Sequence, residues 1–230
     1  EMYRAQVGYP LGYFYGYKTA GVFQNWSQVD GTAAKYAGAQ PGDLIFVDTD
    51  NDGKITEGDR TQIGNPHPDF TMGLNLNFSY KGFDSNITGA GAFGQQIAKS
   101  YRSFADSPLQ NYTTDIFGRW TGEGTSNKLP RLTSGSHTNW QNISDIYIED
   151  GDYLKIQNLT IGYDFKKLFP TMPLGQARLY LTAQNLFTFT GYSGMDPEIG
   201  YGYDKSWVSG IDLGYYPSPR TYMVGVNLKF

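Results

Sequence analysis

The stretch that decides the fold is Arg220-Thr221-Tyr222-Met223-Val224-Gly225-Val226-Asn227-Leu228-Lys229-Phe230. Tyr222, Val224, Val226, Leu228 and Phe230 take every second place, and Thr221, Met223, Gly225, Asn227 and Lys229 sit between them. Successive strand side chains point to opposite faces, so this pattern predicts a strand with one apolar and one mostly polar side. A soluble sheet alternates too, but it has little reason to end on an aromatic residue. A strand that faces lipid on one side and an aqueous lumen on the other does have one.

The same alternation recurs upstream. Phe70, Met72, Leu74, Leu76, Phe78 and Tyr80 share one face, against Thr71, Gly73, Asn75, Asn77 and Ser79. Lys81-Gly82 predicts a tight turn, after which Phe83 to about Phe93 returns as a second strand with a small, polar interior. Tyr153 to Phe165 sets Leu159, Ile161, Tyr163 and Phe165 against Asn158, Thr160 and Gly162, and Ala177 to about Thr190 forms a further strand. Each span suits a tilted membrane strand of roughly 9–11 residues.

Short connections (81–82 and 166–175) alternate with long polar ones (31–66, 95–150 and 191–219). Outer-membrane barrels pair short periplasmic turns with long extracellular loops. Phe230 is therefore expected at the periplasmic end, and the three long stretches outside. Within them, Ala33 to Ala39 is expected to form a helical turn ended by Pro41-Gly42, and Gln95 to Phe104 a helix. The fold class expected is all-β, an antiparallel transmembrane β-barrel segment with long extracellular loops. Residues 1–68 form an outer loop region and residues 69–230 the strands and their loops. Five strands, six or seven with the Gly- and Tyr-rich start, cannot close a barrel whose smallest bacterial form uses eight. An open edge in lipid leaves backbone groups unpaired. The chain is thus expected to be the C-terminal part of a larger barrel, or to be held by another chain.

Composition narrows the alternatives. A net charge of −4 argues against a nucleic-acid binder. The 19 Tyr, 14 Phe and 4 Trp suit the aromatic girdles of a membrane barrel. No apolar run approaches the roughly 20 residues of a membrane helix. Cysteine is absent, which excludes disulfides and thiolate chemistry. The chain opens Glu1-Met2-Tyr3-Arg4 without the apolar core of a signal peptide, so a mature or partial chain is expected.

One motif carries sharp chemistry. Asp48-Thr49-Asp50-Asn51-Asp52-Gly53-Lys54-Ile55-Thr56-Glu57-Gly58-Asp59 has the spacing of an EF-hand calcium loop. Asp48, Asp50 and Asp52 fall at positions 1, 3 and 5, Lys54 offers its carbonyl at 7, and Asp59 closes at 12. Calcium takes six to eight hard oxygens, which this order wraps around one point. Asp59 stands where Glu is usual, and no amphipathic helix flanks the loop, so a structural calcium ion is expected and not a sensor. The alternative is a solvated Asp/Asn/Gly turn.

Other signals are weaker. Gly89-Ala90-Gly91-Ala92-Phe93-Gly94 matches a dinucleotide fingerprint formally, but it does not follow a buried parallel strand. His67 sits between prolines and His137 in a polar loop, and Asp145, Glu149, Asp150 and Asp152 read as a charged loop before a strand. No nucleophile and base are set together, so no enzyme is expected. A competing reading is a soluble, calcium-stabilised carbohydrate-binding β-module using Trp26, Trp120, Trp140 or Trp207 as stacking platforms.

Several blocks together resemble the C-terminal end of the SusC/RagA family of TonB-dependent outer-membrane transporters. They include Gly8-Tyr9-Pro10-Leu11-Gly12-Tyr13, Pro41-Gly42-Asp43 with the Asp48–Asp59 loop, and Ile63-Gly64-Asn65-Pro66-His67-Pro68-Asp69-Phe70. They continue with Tyr80-Lys81-Gly82-Phe83-Asp84, Ile148-Glu149-Asp150-Gly151-Asp152-Tyr153-Leu154-Lys155, Gln184-Asn185-Leu186-Phe187, Met195-Asp196-Pro197-Glu198 and Pro219-Arg220-Thr221-Tyr222. The resemblance implies part of a 22-stranded barrel in the outer membrane of a Gram-negative, Bacteroidetes-like cell. It further implies import of oligosaccharides or peptides driven by the TonB complex, with a SusD-like surface lipoprotein as partner. The family's plug domain and TonB box have no counterpart in these residues.

Overall fold

The alternating stretches are strands in the structure, a computed structural model that describes residues 2–100, 113–133, 137–199 and 209–230. In chain order the strands are β1 (Tyr3–Arg4), β2 (Tyr13–Gly16), β3 (Thr19–Val22), β4 (Leu44–Phe46), β5 (Thr61–Gly64), β6 (Phe70–Tyr80) and β7 (Phe83–Phe93). They continue with β8 (Gln96–Lys99), β9 (Ile148–Asp150), β10 (Tyr153–Asp164), β11 (Gln176–Thr190), β12 (Ile211–Asp212) and β13 (Thr221–Lys229). Two units divide them, one built from Pro68–Gln95, Asp150–Pro197 and Tyr215–Phe230 and the other from the remaining three segments.

The first of these units is a single sheet in the order β13-β11-β10-β7-β6, with every neighbouring pair antiparallel. Its register aligns the alternation across strands. One row runs Phe78, Ser85, Ile161, Leu181, Val224, and the next Tyr80, Phe83, Tyr163, Leu179, Val226. A row of the opposite face reads Asn77, Asn86, Thr160, Thr182, Met223. The apolar face is uncovered: Leu76 is 53% exposed, Val224 73% and Val226 59%. In a water-soluble sandwich these side chains would be the core. Here they are the lipid-facing wall of a transmembrane barrel segment.

That wall is banded. Aliphatic Leu74, Leu76, Ile87, Leu159, Ile161, Leu181 and Val224 occupy the middle. Phe78, Tyr80, Phe83 and Tyr163 lie at the short-turn end, with Phe70, Phe93, Phe187 and Phe189 at the other. Phe70 stacks on its cross-strand partner Phe93 at 4.8 Å between centroids. The eleven residues of β6, at about 3.4 Å each and a tilt of about 40°, rise about 28 Å, close to the apolar band of an outer-membrane barrel.

Local chemistry sets the ends and the irregularities. Lys81 and Gly82 both have positive φ (47° and 90°), the geometry of a two-residue hairpin turn that follows strand twist. Between Ile156 and Asn158 the register shifts on both sides of β10. Gln157 is an extra residue against β7, and on β11 two residues, Asn185 and Leu186, oppose it. Asn185 takes φ of 51°, as a bulge of this kind requires. Because of this bulge, Leu154 and Ile156 share the lipid face with Leu159 and Ile161 despite opposite parity.

The second unit contains Glu1–His67, Gln96–Glu149 and Glu198–Gly214, that is, the Gly- and Tyr-rich start, where the sequence suggests short strand pieces, and most of the long connections. They carry structure of their own: sheets β1-β2-β5, β12-β8-β9 and β3-β4. One core cluster joins Met2, Phe14, Ile63, Ala98 and Ile211, and another Tyr17, Val22, Leu44 and Phe46. The expected helical turn at 33–39 is absent. The helix lies at Trp26–Gly31 instead, where the Asn25 side chain accepts from the Gln28 N–H. Gln95 to Phe104 is not helical where described either: Gln96–Lys99 is a strand whose Ile97 and Ala98 are buried, paired on both sides. Phe104 lies outside the described residues.

Candidate functional site

The loop 48–59 closes on its own backbone. Gly53 takes φ of 82°, which lets its N–H donate to Asp48 Oδ2 (2.8 Å). The Asp52 N–H donates to Asp48 Oδ1 (3.2 Å) and Asp50 Oδ1 (3.1 Å), and the Lys54 N–H to Asp52 Oδ1 (2.8 Å). Asp48, Asp50 and Asp52 each bring one carboxylate oxygen within 4.8 Å of the others. The Asp52 N–H draws the Asp50 carboxyl down, but desolvation and the charges of Asp52, Asp59 and Asp48 outweigh it. Asp50 is thereby held above its ordinary value. A divalent cation would relieve that repulsion, so the donor set fits calcium.

Asp59 has a separate role in the same loop. It is fully buried, its Oδ1 accepting from the Thr49 N–H (2.7 Å) and its Oδ2 from the Thr56 N–H (2.7 Å). Thr56 returns the interaction by accepting from the Gly58 N–H (3.1 Å), a capping box on the one-turn helix Glu57–Asp59. Burial pushes Asp59 up, but the amides of Thr56, Thr49 and Asp50 and the Asp48 side chain prevail, holding it below its ordinary value.

On the polar face of the barrel sheet, a cavity of about 540 Å³ lies at the end opposite the short turns. Lys155 of β10 contributes an ammonium with only 3% side-chain exposure, its Nζ 3.7 Å from Asp196 Oδ2. Thr188, Thr190 and Asn185 of β11 line the cavity, with Tyr216 and Pro219 on the segment returning to β13. Asn185 Nδ2 donates to the Pro219 carbonyl (3.0 Å) and holds that segment down. Lys155 falls at a polar position between Leu154 and Ile156, and this bracketing by two lipid-facing residues is the one sequence signal that marks it.

The other candidates resolve as structural groups. His67 Nε2 lies 2.7 Å from the Leu11 carbonyl. Asp145 accepts from the Thr19 N–H (3.1 Å) and hydroxyl (2.6 Å), and Asp152 from the Gly94 N–H (2.6 Å). His137 caps the helix Thr138–Gln141, its Nδ1 accepting from the Asn139 N–H (3.2 Å). Trp140 is core, Trp120 packs against the Tyr17 cluster, Trp26 is exposed, and Trp207 lies outside the described residues. Sequence reasoning missed the buried Asp43, whose Oδ1 accepts from Arg131 Nε (2.7 Å) and Asn139 Nδ2 (2.9 Å).

No family model matches the chain. Among curated proteins, a TonB-dependent receptor of Formosa agariphila, P3, is 37% identical over 228 residues, 97% of this chain and 22% of its own length. The TonB-dependent receptor SusC of Bacteroides thetaiotaomicron is 28% identical over 98% of this chain and 20% of its own length. Among solved structures, that of the RagAB peptide transporter superposes over 98% of this chain and 23% of its own, with a TM-score of 0.68 and 23% identity. The chain therefore spans about a fifth of the length of the curated relatives it matches.

Proposed function

We propose that this chain, which belongs to the SusC/RagA family of TonB-dependent receptors, forms part of the wall and outer loops of a barrel that imports nutrients across the outer membrane. The observation that carries this reading is the uncovered apolar face with its aromatic bands, opposed by a polar face. A sheet so made is stable with hydrocarbon on one side and water on the other. The soluble-module alternative loses its basis with the same observation, since burying that face needs a second sheet.

Several functional consequences follow within this reading. The long connections lie outside the cell and the turns at 81–82 and 165–175 in the periplasm, as loop length dictates in this class of barrel. Energy for import comes from the TonB complex, through parts of the receptor beyond these residues. A SusD-like lipoprotein is the expected surface partner, as the likeness to SusC and to RagAB supports. Cargo is an oligosaccharide or a short peptide. Loop 48–59 holds a structural calcium ion through Asp48, Asp50, Asp52 and the Lys54 carbonyl, with Asp59 closing the loop.

The test uses cells carrying the full-length gene. Uptake of the receptor's cargo is expected to stop on its deletion and on collapse of the inner-membrane proton gradient. Uptake that survives both treatments would overturn the proposal.

A further inference from the structure

We propose that the cavity beside Lys155 and Asp196 binds a neutral sugar ring through two adjacent hydroxyls, an assignment that rests on the import reading because it takes the polar face to be aqueous. An ammonium offers only donors and a carboxylate only acceptors. With the two groups 3.7 Å apart, one hydroxyl of a vicinal diol accepts from Lys155 while its neighbour donates to Asp196. Both contacts are charge-assisted, the stronger kind of hydrogen bond. The two charges cancel, and the further cation of the lining, Arg220, is held over the Phe187 ring at 5.8 Å from its centroid, so the pair itself favours an uncharged ligand over a uronate.

The rest of the lining suits the same ligand. Thr188 and Thr190 add hydroxyls that both donate and accept, matching further ring hydroxyls. The Tyr216 ring, 87% exposed at the cavity, offers a flat apolar surface for the C–H face of a pyranose. The volume lies in the lower part of the roughly 300–1,000 Å³ range of small-molecule sites. A peptide fits less well. An extended peptide that binds by adding a strand needs a free sheet edge, and here β10 lies between β7 and β11, and β11 between β10 and β13.

The experiment uses the full-length receptor purified in detergent and titrated calorimetrically with neutral hexose and pentose trisaccharides, a uronic-acid trisaccharide and a neutral tripeptide. At least one neutral trisaccharide is expected to bind at roughly millimolar concentration or below. Lys155→Met and Asp196→Asn should each weaken it about tenfold or more, the loss of one charge-assisted hydrogen bond. Tyr216→Ala, at an exposed position that supports no packing, should weaken it several-fold and keeps the test open if either buried-pair variant fails to fold. Unchanged affinity in the folded variants, tighter binding of the tripeptide, or binding of no neutral trisaccharide each overturns the site. Loss of the site with continued gradient-dependent uptake of another cargo leaves import standing. Sugar binding without any such uptake does the reverse.

Discussion

Arg178 reaches across an entire strand to Asp84. Its Nε lies 2.8 Å from Oδ1 and its Nη2 2.6 Å from Oδ2, although β10 runs between their strands β11 and β7. The crossing is possible because Gly162 stands on the intervening strand, directly beside Asp84: a β-carbon there would lie 2.6 Å from Arg178 Nε. In the other direction the Tyr180 ring lies over its direct partner Gly225 on the neighbouring strand β13. Two glycines thus let a cation and an aromatic ring lie flat on the polar face and tie four strands together.

Gly162→Ala should therefore break the bidentate pair without touching either partner, and Arg178→Lys should keep the charge but lose the fork. Asp84 is about a third exposed, so solvent discounts the pair to about 1 kcal/mol. Urea unfolding of the full-length receptor in detergent should place both variants that far below wild type and the double variant no lower than the worse single. Additive losses would show that the two residues act independently.

Asp59 and Asp52 should behave differently in loop 48–59. Asp59 organises the backbone through Thr49 and Thr56, so Asp59→Ala should speed amide exchange across the loop even in a chelator. Asp48→Ala and Asp52→Ala also remove acceptors of the Asp52, Gly53 and Lys54 N–H groups, so they should loosen the loop somewhat in a chelator and markedly more in the presence of calcium, while leaving the barrel strands folded. Calcium titrations that do not change in either variant would refute the metal site. Because Asp50 is held above its ordinary value, calcium affinity should begin to fall at a higher pH than an unperturbed carboxylate would give.

His137 gives the loop unit a pH dependence of definite sign. Desolvation lowers its pKa most, the Asp43 carboxylate opposes this, and the Arg131 guanidinium lowers it further. Asp43 Oδ1 lies 4.0 Å and an Arg131 nitrogen 3.4 Å from Nε2, and the Tyr36 ring packs edge-on. With the folded value below the unfolded one of about 6.5, the unfolded state binds the proton more readily. The contribution is complete above pH 6.5 and is lost as pH falls through the folded value. A proton on Nδ1 also ends its role as acceptor for the Asn139 N–H. Amide exchange over 137–142, corrected for intrinsic rate, should rise between pH 7.5 and 5.5. In His137→Asn, which caps without titrating, the rise should vanish.

What could be read from the residues divides along physical lines. β6, β7, β10, β11 and β13 were legible because period-two alternation is written within each strand. The bulge was legible in principle, since Leu154 and Ile156 fall out of step with Leu159 and Ile161. The second unit was not: its core joins Met2, Ala98 and Ile211, and no local pattern announces contacts across such separations. The Trp26–Gly31 helix depends on one capping side chain, too short a signal beside the Ala-rich stretch that follows. For Asp59, the motif template marks the closing position of the loop, while its burial and its bonds from the Thr49 and Thr56 N–H groups needed the tertiary structure. The Lys155–Asp196 pair needed tertiary structure to bring two strongly spaced residues together.

The two faces of the sheet make the most direct prediction. Leu76 and Val224 lie in the middle of the uncovered aliphatic band, while Asn75 and Met223 point the other way from adjacent positions. An arginine facing hydrocarbon near the midplane of a barrel costs about 2–4 kcal/mol, whereas a lumen-facing one is solvated. Leu76→Arg and Val224→Arg should lower the stability of the receptor refolded into lipid vesicles by that amount. Asn75→Arg and Met223→Arg should change it by less than about 1 kcal/mol. The comparison uses neighbouring residues in the same two strands, so strand propensity and position are nearly held constant. Equal losses on both faces would mean that neither side meets water, and the barrel assignment of this sheet would fail with it.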